Sequence, residues 1–453
     1  MSWFATLTRS VTLATALTLV SPALWALEPT DEQREVAVEI ADSLRYSHYA
    51  DTTFDNEWSS EAFQRYLDNL DSQRLYLLES DITPYRHLEA QMADLLFDGD
   101  IDDAFALHER ANERHEARLN WLLERIDEGL DYQFDSDERL EIDREEANWA
   151  TDNSQLDTLW EKRLQNAALT LALAEQDDEQ IETTLRQRYE GQLSRVQQTE
   201  AEDVFGLLMA AVTGTVDPHT SYLSPRQGES FDIQMSLSLE GIGAMLQADG
   251  EYVKVASLVP GGPADQAGVL DPADRIVAVG QEDEEELVNV IGMRLDNVVD
   301  LIRGPKGSTV SLEVIPAKAV DVTRTQVVEI TRDTVKLEDQ AAQSEVIELE
   351  RDGQQHKVGV ITVPTFYVDF DAWQAGEDDY RSTTRDVAEE INALKEEGVE
   401  GIVLDLRDNG GGALQEANSL LGLFIDRGPT VQVRDAEGRI QLYGDSDAGT
   451  LYD

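Results

Sequence analysis

The chain has 453 residues, of which 41% are hydrophobic, which is enough for two to four compact domains and argues against wholesale disorder. Its 92 acidic and 36 basic residues give a formal net charge of −56, and a field of that sign repels phosphate backbones, which argues against nucleic acid as a partner. The lack of cysteine excludes disulfides and thiolate metal sites. Because the acidic residues are spread along the whole chain, they favour a solvated acidic surface suited to high salt over an acidic tail.

The first 26 residues have the pattern of a secretory signal peptide. Arg9 precedes an apolar run at residues 11–20 that is too short to span a bilayer, and small residues lead to a cleavage point near Ala26. We therefore predict export, with an N-terminal membrane anchor as the alternative. No later segment reaches the apolar length of a membrane-spanning helix.

Residues 30–198 are predicted to be mainly α-helical. Thr30 and Gln33 resemble a capping box, and apolar residues then recur at helical spacing. His108 and His115 are seven residues apart, whereas a helical zinc site places its histidines four apart. We interpret both histidines as solvated surface and predict neither a metal site nor a cofactor.

The pattern changes after residue 225. From Phe231 the sequence turns to strand-like alternation with glycine punctuation, and one helix is predicted near residues 295–303. Short strands with one or two helices over about a hundred residues predict a small, partly closed β domain. From Lys357, an apolar strand, a charged helix and the strand GIVLDL predict a parallel sheet covered on both faces.

The first glycine cluster lies between two apolar strands. Its successive glycines let several backbone N–H groups converge on one anion, and the following strand could pair with an extended peptide whose carboxylate fills this nest. The helix near 295–303 would form the other wall of the peptide groove. The predicted peptide contacts are Gly241, Ile242, Gly243, Ala244, Met245, Leu246, Val298, Leu301 and Ile302. The alternative is an ordinary hairpin turn. A dinucleotide-binding site is excluded because Leu246 stands at the sixth position of GIGAML, where the glycine-rich dinucleotide-binding fingerprint needs a small residue.

The second cluster, residues 410–412, follows the strand GIVLDL, and a helix is predicted to begin near Ala413. Backbone N–H groups at such a position can stabilise the oxyanion of acyl transfer, although a tight strand-to-helix turn is the alternative. There is neither a GxSxG motif nor a thiol, and the last lysine, Lys395, precedes the turn, so no nucleophile or base is identified. Asp405 and Asp408 are interpreted as strand-end and turn-capping carboxylates.

Seven motifs follow one another in an order that resembles a known family: DPHTSYLSP, MSLSLEGIGAMLQ, PGGPADQAG, DRIVAVGQ, LIRGPKGS, VGVITVPTFY and LDLRDNGGGALQEANSLLGLFI. Together they resemble the tail-specific proteases, the C-terminal processing peptidases of the bacterial periplasm. The resemblance implies a multidomain α+β fold, with a helical N-terminal domain, a PDZ domain and the first part of an α/β protease core. The expected divisions are a signal peptide (1–26), the helical domain (27–200), a connecting segment (201–230), the PDZ domain (231–316), linker strands (317–356) and an incomplete core (357–453).

The resemblance also implies roles for particular residues. The loop from Gly241 to Ala244 would bind the C-terminal carboxylate of a substrate, Gly410 would donate to the oxyanion, and Tyr367 would lie in a hinge that couples peptide binding to proteolysis. In this family a serine nucleophile and a lysine base lie downstream of the glycine turn, on segments that begin after the position of Asp453. The chain is therefore expected to be a fragment of a longer reading frame, with an inactive truncated product as the alternative.

The predicted function is that of a periplasmic Ser-Lys endopeptidase that recognises C-terminal tails of periplasmic or envelope proteins and degrades or trims them. Association with the inner membrane is left open. The alternative is a PDZ module that captures peptide termini without chemistry, and a third reading is an envelope scaffold. The resemblance further suggests a helical-repeat lipoprotein adaptor as a partner of the helical domain.

Overall fold

The structure is a computed structural model that describes residues 27–130, 134, 137–282, 286–319, 324–378, 380–445 and 449–452. The predicted signal peptide lies outside the described residues. The helices are α1 (Asp31–Tyr46), α2 (Asn56–Asp71), α3 (Glu79–Ile82), α4 (Leu88–Asp98), α5 (Asp102–Asp127), α6 (Asn153–Leu173), α7 (Asp178–Gln197), α8 (Ala201–Thr213), α9 (Pro225–Ser236), α10 (Pro263–Ala267), α11 (Leu295–Ile302), α12 (Phe370–Ala375), α13 (Thr383–Glu396) and α14 (Leu414–Gly422). The strands are β1 (Ser238–Gly241), β2 (Ala244–Asp249), β3 (Tyr252–Leu258), β4 (Arg275–Gln281), β5 (Val288–Asn289), β6 (Thr309–Ile315), β7 (Gln326–Thr331), β8 (Asp333–Lys336), β9 (Gln343–Arg351), β10 (Gln354–Thr362), β11 (Gly401–Asp405), β12 (Gly428–Arg434) and β13 (Ile440–Asp445).

Helices α1 to α7 lie in the predicted helical region, and the predicted capping box starts the first of them. Helix α8 lies in the stretch predicted as a connecting segment, residues 201–230, but its apolar side chains pack into the helical core, so that boundary was wrong. The Gln33 N–H donates to Thr30 Oγ1 at 3.1 Å, while the Thr30 N–H donates to Gln33 Oε1 at 3.0 Å. One core joins α1, α2, α4 and α8 to the start of α5, and a second joins the rest of α5 to α6 and α7. Amphipathic helices can bury their apolar stripes only against one another, which is why the periodic pattern gave the correct element type.

The interpretation of His108 and His115 as solvated surface was wrong. His108 is only 8% exposed, and burial lowers its pKa to about 4. The ring of His115 packs edge-on against Tyr76, with 3.8 Å between the ring centroids. Because α5 is covered by α7 on one side and α8 on another, even its polar positions become enclosed.

Among the described residues, no group of three or more His, Asp or Glu side chains is placed to hold a metal ion. No helix among these residues combines the length and apolarity needed to cross a bilayer.

The β domain contains a sheet with strand order β2-β3-β4-β6-β7, and β5 also pairs with β4. The strand pattern predicted from Phe231 was wrong at its beginning, because Phe231 lies in a helix, α9, and not in a strand. Ser224 caps that helix by accepting from the Gln227 N–H, and Pro225 occupies its first turn, both of which are helix-start signals. The first strand begins at Ser238, and it pairs with β8, so the chain enters and leaves the domain through neighbouring strands.

Residues 317–356, predicted as linker strands, are shared between three sheets. Strand β7 extends the β-domain sheet beside β6, β8 pairs with β1, and β9 joins the core sheet. In the core, the order is β11-β10-β9, and β10 runs parallel to β11, as predicted.

The core sheet is covered on one face only within the described residues, so the prediction of two covered faces was wrong. Helices α13 and α14 pack on the same face, where Ile361 and Leu420 are buried. On the sheet, Ile347 and Val403 remain 39% and 50% exposed. The fold class is nevertheless the predicted multidomain α+β arrangement.

Candidate functional site

The loop between β1 and β2 is held by hydrogen bonds from residues 259–264, and two consecutive N–H groups of the loop point away from that segment. The Ile242 carbonyl accepts from the Ala264 N–H, and the Gly243 carbonyl accepts from the Val259 N–H, both at 2.8 Å. In a trans peptide the N–H points opposite to the carbonyl of the same unit. The N–H groups of Gly243 and Ala244 therefore face away from the 259–264 segment, as in an anion-binding nest.

Glycine is needed at the centre of this loop. Gly243 has φ +72°, and a Cβ there would lie 3.3 Å from both the Cα of Gly262 and Cγ2 of Val335. The loop is also enclosed, since Gly241 and Gly243 are buried, with Leu239 and Arg303 beside Gly241.

Strand β2 continues from this loop with one edge open. Among the described residues it pairs only with β3, so its other edge is available to an added strand, and α11 packs beside it. Met245 is 61% exposed, whereas Leu246 is half-buried against the domain core. The predicted strand-addition geometry is therefore present.

The predicted pocket residues differ in how accessible they are. Val298 and Ile302 are packed into the core with 0% and 3% exposure, so they lie beneath the groove. Leu295 and Leu301 are only partly buried, together with Leu246. Leu295 was missed by the sequence reasoning, although its helical spacing to Val298 and Ile302 carried the signal.

A buried arginine at the end of α11 was also missed. Arg332 Nε donates to the Ile302 carbonyl at 2.8 Å, and its Nη2 donates to Gln281 Oε1 at 2.7 Å. A positive charge at a helix C-terminus is favourable, and the guanidinium also supplies donors to the last carbonyls of the helix. A lone arginine at the end of the pattern VVEITR gives no sequence signal for this role.

The opposite end of α11 is attached to the helical domain. Arg294 pairs with Asp203 at 2.5 Å, and Asn297 Nδ2 donates to Glu200 Oε1 at 2.9 Å. Both acidic residues lie at the start of α8. Helix α11, which forms the wall of the candidate peptide groove, is therefore held by Arg332 at its C-terminal end and by the start of α8 at its N-terminal end.

The second glycine turn is held by an extended segment that precedes α12. The Phe366 N–H donates to the Gly411 carbonyl at 2.7 Å, and the Ala413 N–H donates to the Phe366 carbonyl at 2.8 Å. A Cβ on Gly412 would lie 2.4 Å from the Phe366 carbonyl oxygen, so this position needs glycine. Helix α14 begins directly afterwards with Ala413 as N-cap, as predicted.

Gly410, the predicted oxyanion donor, has a partner already. Its N–H donates to the Pro364 carbonyl at 3.1 Å. An oxyanion at this position would have to displace that carbonyl, so the assignment of Gly410 stays a prediction. The Gly412 N–H, in contrast, points away from Phe366, because the Gly411 carbonyl of the same peptide unit faces Phe366.

Asp405 has the strand-end role that the sequence predicted. Asp405 accepts from the backbone N–H of Arg407 at 3.0 Å and from its Nη2 at 2.6 Å, and these bonds lower the pKa of Asp405 to about 2. Asp408 takes a left-handed conformation with φ +64° within the turn. The turn-capping role of its carboxylate stays a prediction.

Tyr367, the predicted hinge residue, links the β domain to the core. It is fully buried, its hydroxyl donates to Asp386 Oδ2 at 2.6 Å, and it accepts from the Ala342 N–H at 3.0 Å. Burial raises the pKa of Tyr367 well above its ordinary value. Its ring packs with Leu237, which ends α9, while its neighbour Phe366 holds the glycine turn. The position suits a coupling role, which stays a prediction.

A polar network beside the turn was missed. The buried carboxylate of Glu416 accepts from Ser382 Oγ at 2.7 Å, and from both the N–H and the Oγ1 of Thr384 at 2.8 Å. It ties the first turn of α13 to the first turn of α14. The sequence signals only the role of Ser382 as an N-cap.

A cleft of about 840 Å³ lies between the β domain and the segment that contains α12. It is lined by α9, β1, residues 303–305 and α12, and Met235, Val368 and Ala413 pack together beside it. Six carboxylates line this cleft: Glu229, Asp232, Glu240, Asp369, Asp371 and Glu377. Arg303 is the one basic lining residue among those described, so the cleft carries a negative field.

Protein-family models match the chain in three successive segments. Residues 40–226 match the tail specific protease N-terminal domain, residues 230–315 match the PDZ domain, and residues 357–451 match peptidase family S41. These matches confirm the resemblance found in the sequence motifs.

Curated relatives agree with the family models. The tail-specific protease of Haemophilus influenzae is 35% identical over 435 residues, which make up 96% of this chain and 59% of that protein. The carboxy-terminal processing protease CtpA of Bacillus subtilis is 30% identical over 228 residues, 50% of this chain and 42% of that protein. The chain thus spans less than two thirds of the length of either relative.

Two solved structures of similar proteins come from proteases. The PDZ domain of a carboxy-terminal protease from Vibrio cholerae in complex with peptide is 51% identical, covers 22% of this chain and 100% of that chain, and has a TM-score of 0.21. The photosystem II D1 C-terminal processing protease is 25% identical, with 60% and 65% coverage and a TM-score of 0.26.

Proposed function

Because this chain carries the N-terminal domain of the tail-specific proteases, a PDZ domain and a family S41 peptidase region in that order, we propose that it recognises protein substrates by their C-terminal tails for proteolysis. The observation that carries this proposal is the open edge of β2, which begins at the nest formed by the N–H groups of Gly243 and Ala244. A peptide tail would pair with β2 through its backbone and place its carboxylate on the nest.

The reaction proposed is peptide hydrolysis of the serine-lysine type. The serine and the lysine would be encoded after the codon for Asp453, and the lysine would act as general base with its pKa lowered by desolvation. In such an enzyme the Gly410 N–H would leave the Pro364 carbonyl and donate to the oxyanion. Tyr367 would transmit tail binding to this turn through Phe366.

The proposed location is the periplasm, reached through the signal peptide at residues 1–26, with C-terminal tails of periplasmic or envelope proteins as substrates. A lipoprotein adaptor as a further partner is part of the same proposal. The second candidate function, capture of tails without chemistry, is favoured by the engaged N–H of Gly410.

A peptide titration tests tail recognition. The full chain is titrated with a labelled apolar peptide that has a free C-terminal carboxylate, and with the same peptide amidated at its C-terminus. Losing a charge-assisted hydrogen-bond partner should weaken binding by about 1.5–3 kcal/mol, or about 10- to 150-fold. Equal affinity for the two peptides would remove carboxylate capture.

Sequencing the genomic DNA past the codon for Asp453 separates the two candidates. An in-frame serine and lysine support the peptidase. A stop codon, or a continuation without these residues, supports capture alone.

A further inference from the structure

A groove in the helical domain plays no part in tail recognition. It lies between α6, α7 and the irregular segment at residues 137–142, with a volume of about 400 Å³, which is within the range of ligand pockets. The aromatic side chains of Tyr76, Trp160 and Tyr189 form part of its lining. We call it the α6–α7 groove.

The lining of the α6–α7 groove has an unusual charge for this protein. It contains Arg163 and Arg188 but no aspartate or glutamate among the described residues, although the chain has 92 acidic residues. A smaller cleft of about 120 Å³ adjoins it at Leu140 and adds Arg139 and Lys162, together with a single carboxylate, that of Glu138.

These four cations have no hydrogen-bonding or ion-pairing partner in the described part of the chain. Two arginines on the neighbouring helix α5 and on α7 do have partners: Arg118 of α5 pairs with Asp157 at 2.8 Å, and Arg186 of α7 pairs with Asp127 at 2.5 Å. In a chain with more than two acidic residues for each basic one, pairing is the expected state of an arginine. A patch of unpaired cations around an apolar groove is therefore complementary to an anion outside this domain.

The aromatic lining adds an apolar and hydrogen-bonding component. Trp160 Nε1 donates to the Leu75 carbonyl at 2.7 Å, so this ring is fixed, and the Arg163 guanidinium lies 5.2 Å from its centroid. Burial raises the pKa of Tyr76 to about 12, so its hydroxyl stays protonated at neutral pH. Ile142, 75% exposed, adds apolar surface at the rim.

We infer that the α6–α7 groove binds an acidic peptide segment of a partner protein, with an aromatic or aliphatic side chain of that segment in the groove and its carboxylates on Arg163 and Arg188. The concave shape favours a peptide over a membrane, because a lipid surface is flat and contacts protruding side chains. The segment needs no free C-terminus, so this site is independent of the proposed tail recognition.

Fluorescence anisotropy with the full chain tests this site. The probe is a labelled peptide of glutamates interrupted by phenylalanines, amidated at its C-terminus so that it lacks the carboxylate required by the β2 nest. The double variant Arg163→Glu/Arg188→Glu replaces two attractions by two repulsions and should weaken binding about tenfold or more. Raising the salt concentration should also weaken wild-type binding.

The matched control is Arg351→Glu/Arg434→Glu, which makes the same charge change at two exposed arginines outside the helical domain. This control should bind the probe as the wild type does, and circular dichroism should show all three proteins folded. Equal losses in both double variants would overturn the site, because general charge repulsion would then explain the result.

Other outcomes of the same assay would contradict the peptide site or reassign it to a membrane. No binding of the probe by the wild type, or equal binding of a peptide with serines in place of its phenylalanines, would contradict the groove. Binding to vesicles of phosphatidylglycerol with no binding of the peptide would reassign the cations to a membrane surface.

Discussion

Replacing Gly243 by alanine tests the carboxylate-binding loop. The residue has φ +72°, a conformation that costs an alanine about 1–2 kcal/mol of folding free energy. The new Cβ would also lie 3.3 Å from Gly262 and from Val335, so the loop must shift by a few tenths of an ångström. That shift would move the N–H groups of Gly243 and Ala244 off the peptide carboxylate. We expect binding of a free-tail peptide to weaken at least about tenfold, the effect of one lost charge-assisted hydrogen bond.

Gly250→Ala is the control for this variant. Gly250 lies in the turn between β2 and β3 with φ +65°, and nothing within 4 Å would meet its Cβ. Urea unfolding should show a similar conformational cost of about 1–2 kcal/mol, with peptide affinity unchanged. If the two variants bind the free-tail peptide equally well, the nest does not hold the carboxylate, and the reasoning is refuted.

Three further predictions concern buried polar groups. Tyr367→Phe should destabilise the chain by about 1–3 kcal/mol, because Asp386 loses a donor, and faster amide exchange at residue 342 would locate the effect; unchanged exchange would contradict it. Arg332→Met should cost a similar amount by leaving the Ile302 carbonyl without its donor, and unaltered thermal unfolding would argue against that role. His108 has a folded-state pKa of about 4, below its ordinary value, so the unfolded state binds the extra proton and stability falls as the pH drops from about 6.5 to 4. Urea unfolding should therefore show that the loss of stability between pH 7 and pH 4.5 is about 2 kcal/mol smaller in His108→Leu than in the wild type. Identical pH dependence of the two proteins would show that His108 titrates normally.

The sequence by itself determined the type and order of the elements. The capping box at Thr30, the helical periodicity and the alternation of the β domain depend on neighbours in the chain. The capping box and the helices lie where they were predicted, and the strands of the β domain begin at Ser238, after helix α9. The glycine positions were also readable, because the positive φ of Gly243 is a local property of the backbone. Where a local signal was passed over, as with the Ser224 cap of α9, the prediction of a strand at Phe231 failed.

Only the tertiary structure decided which groups are enclosed and which hydrogen bonds are already made. His108 is buried because other helices cover α5, and no property of its neighbours in sequence states this. The Gly410 N–H is engaged by Pro364, a residue distant in the chain, and Arg332 meets α11 only through the folded sheet. Likewise, Arg163 and Arg188 became a candidate site only when packing had paired their neighbours and left these two without carboxylates. Burial and pairing depend on contacts between distant segments, and so they follow from the fold and not from local pattern.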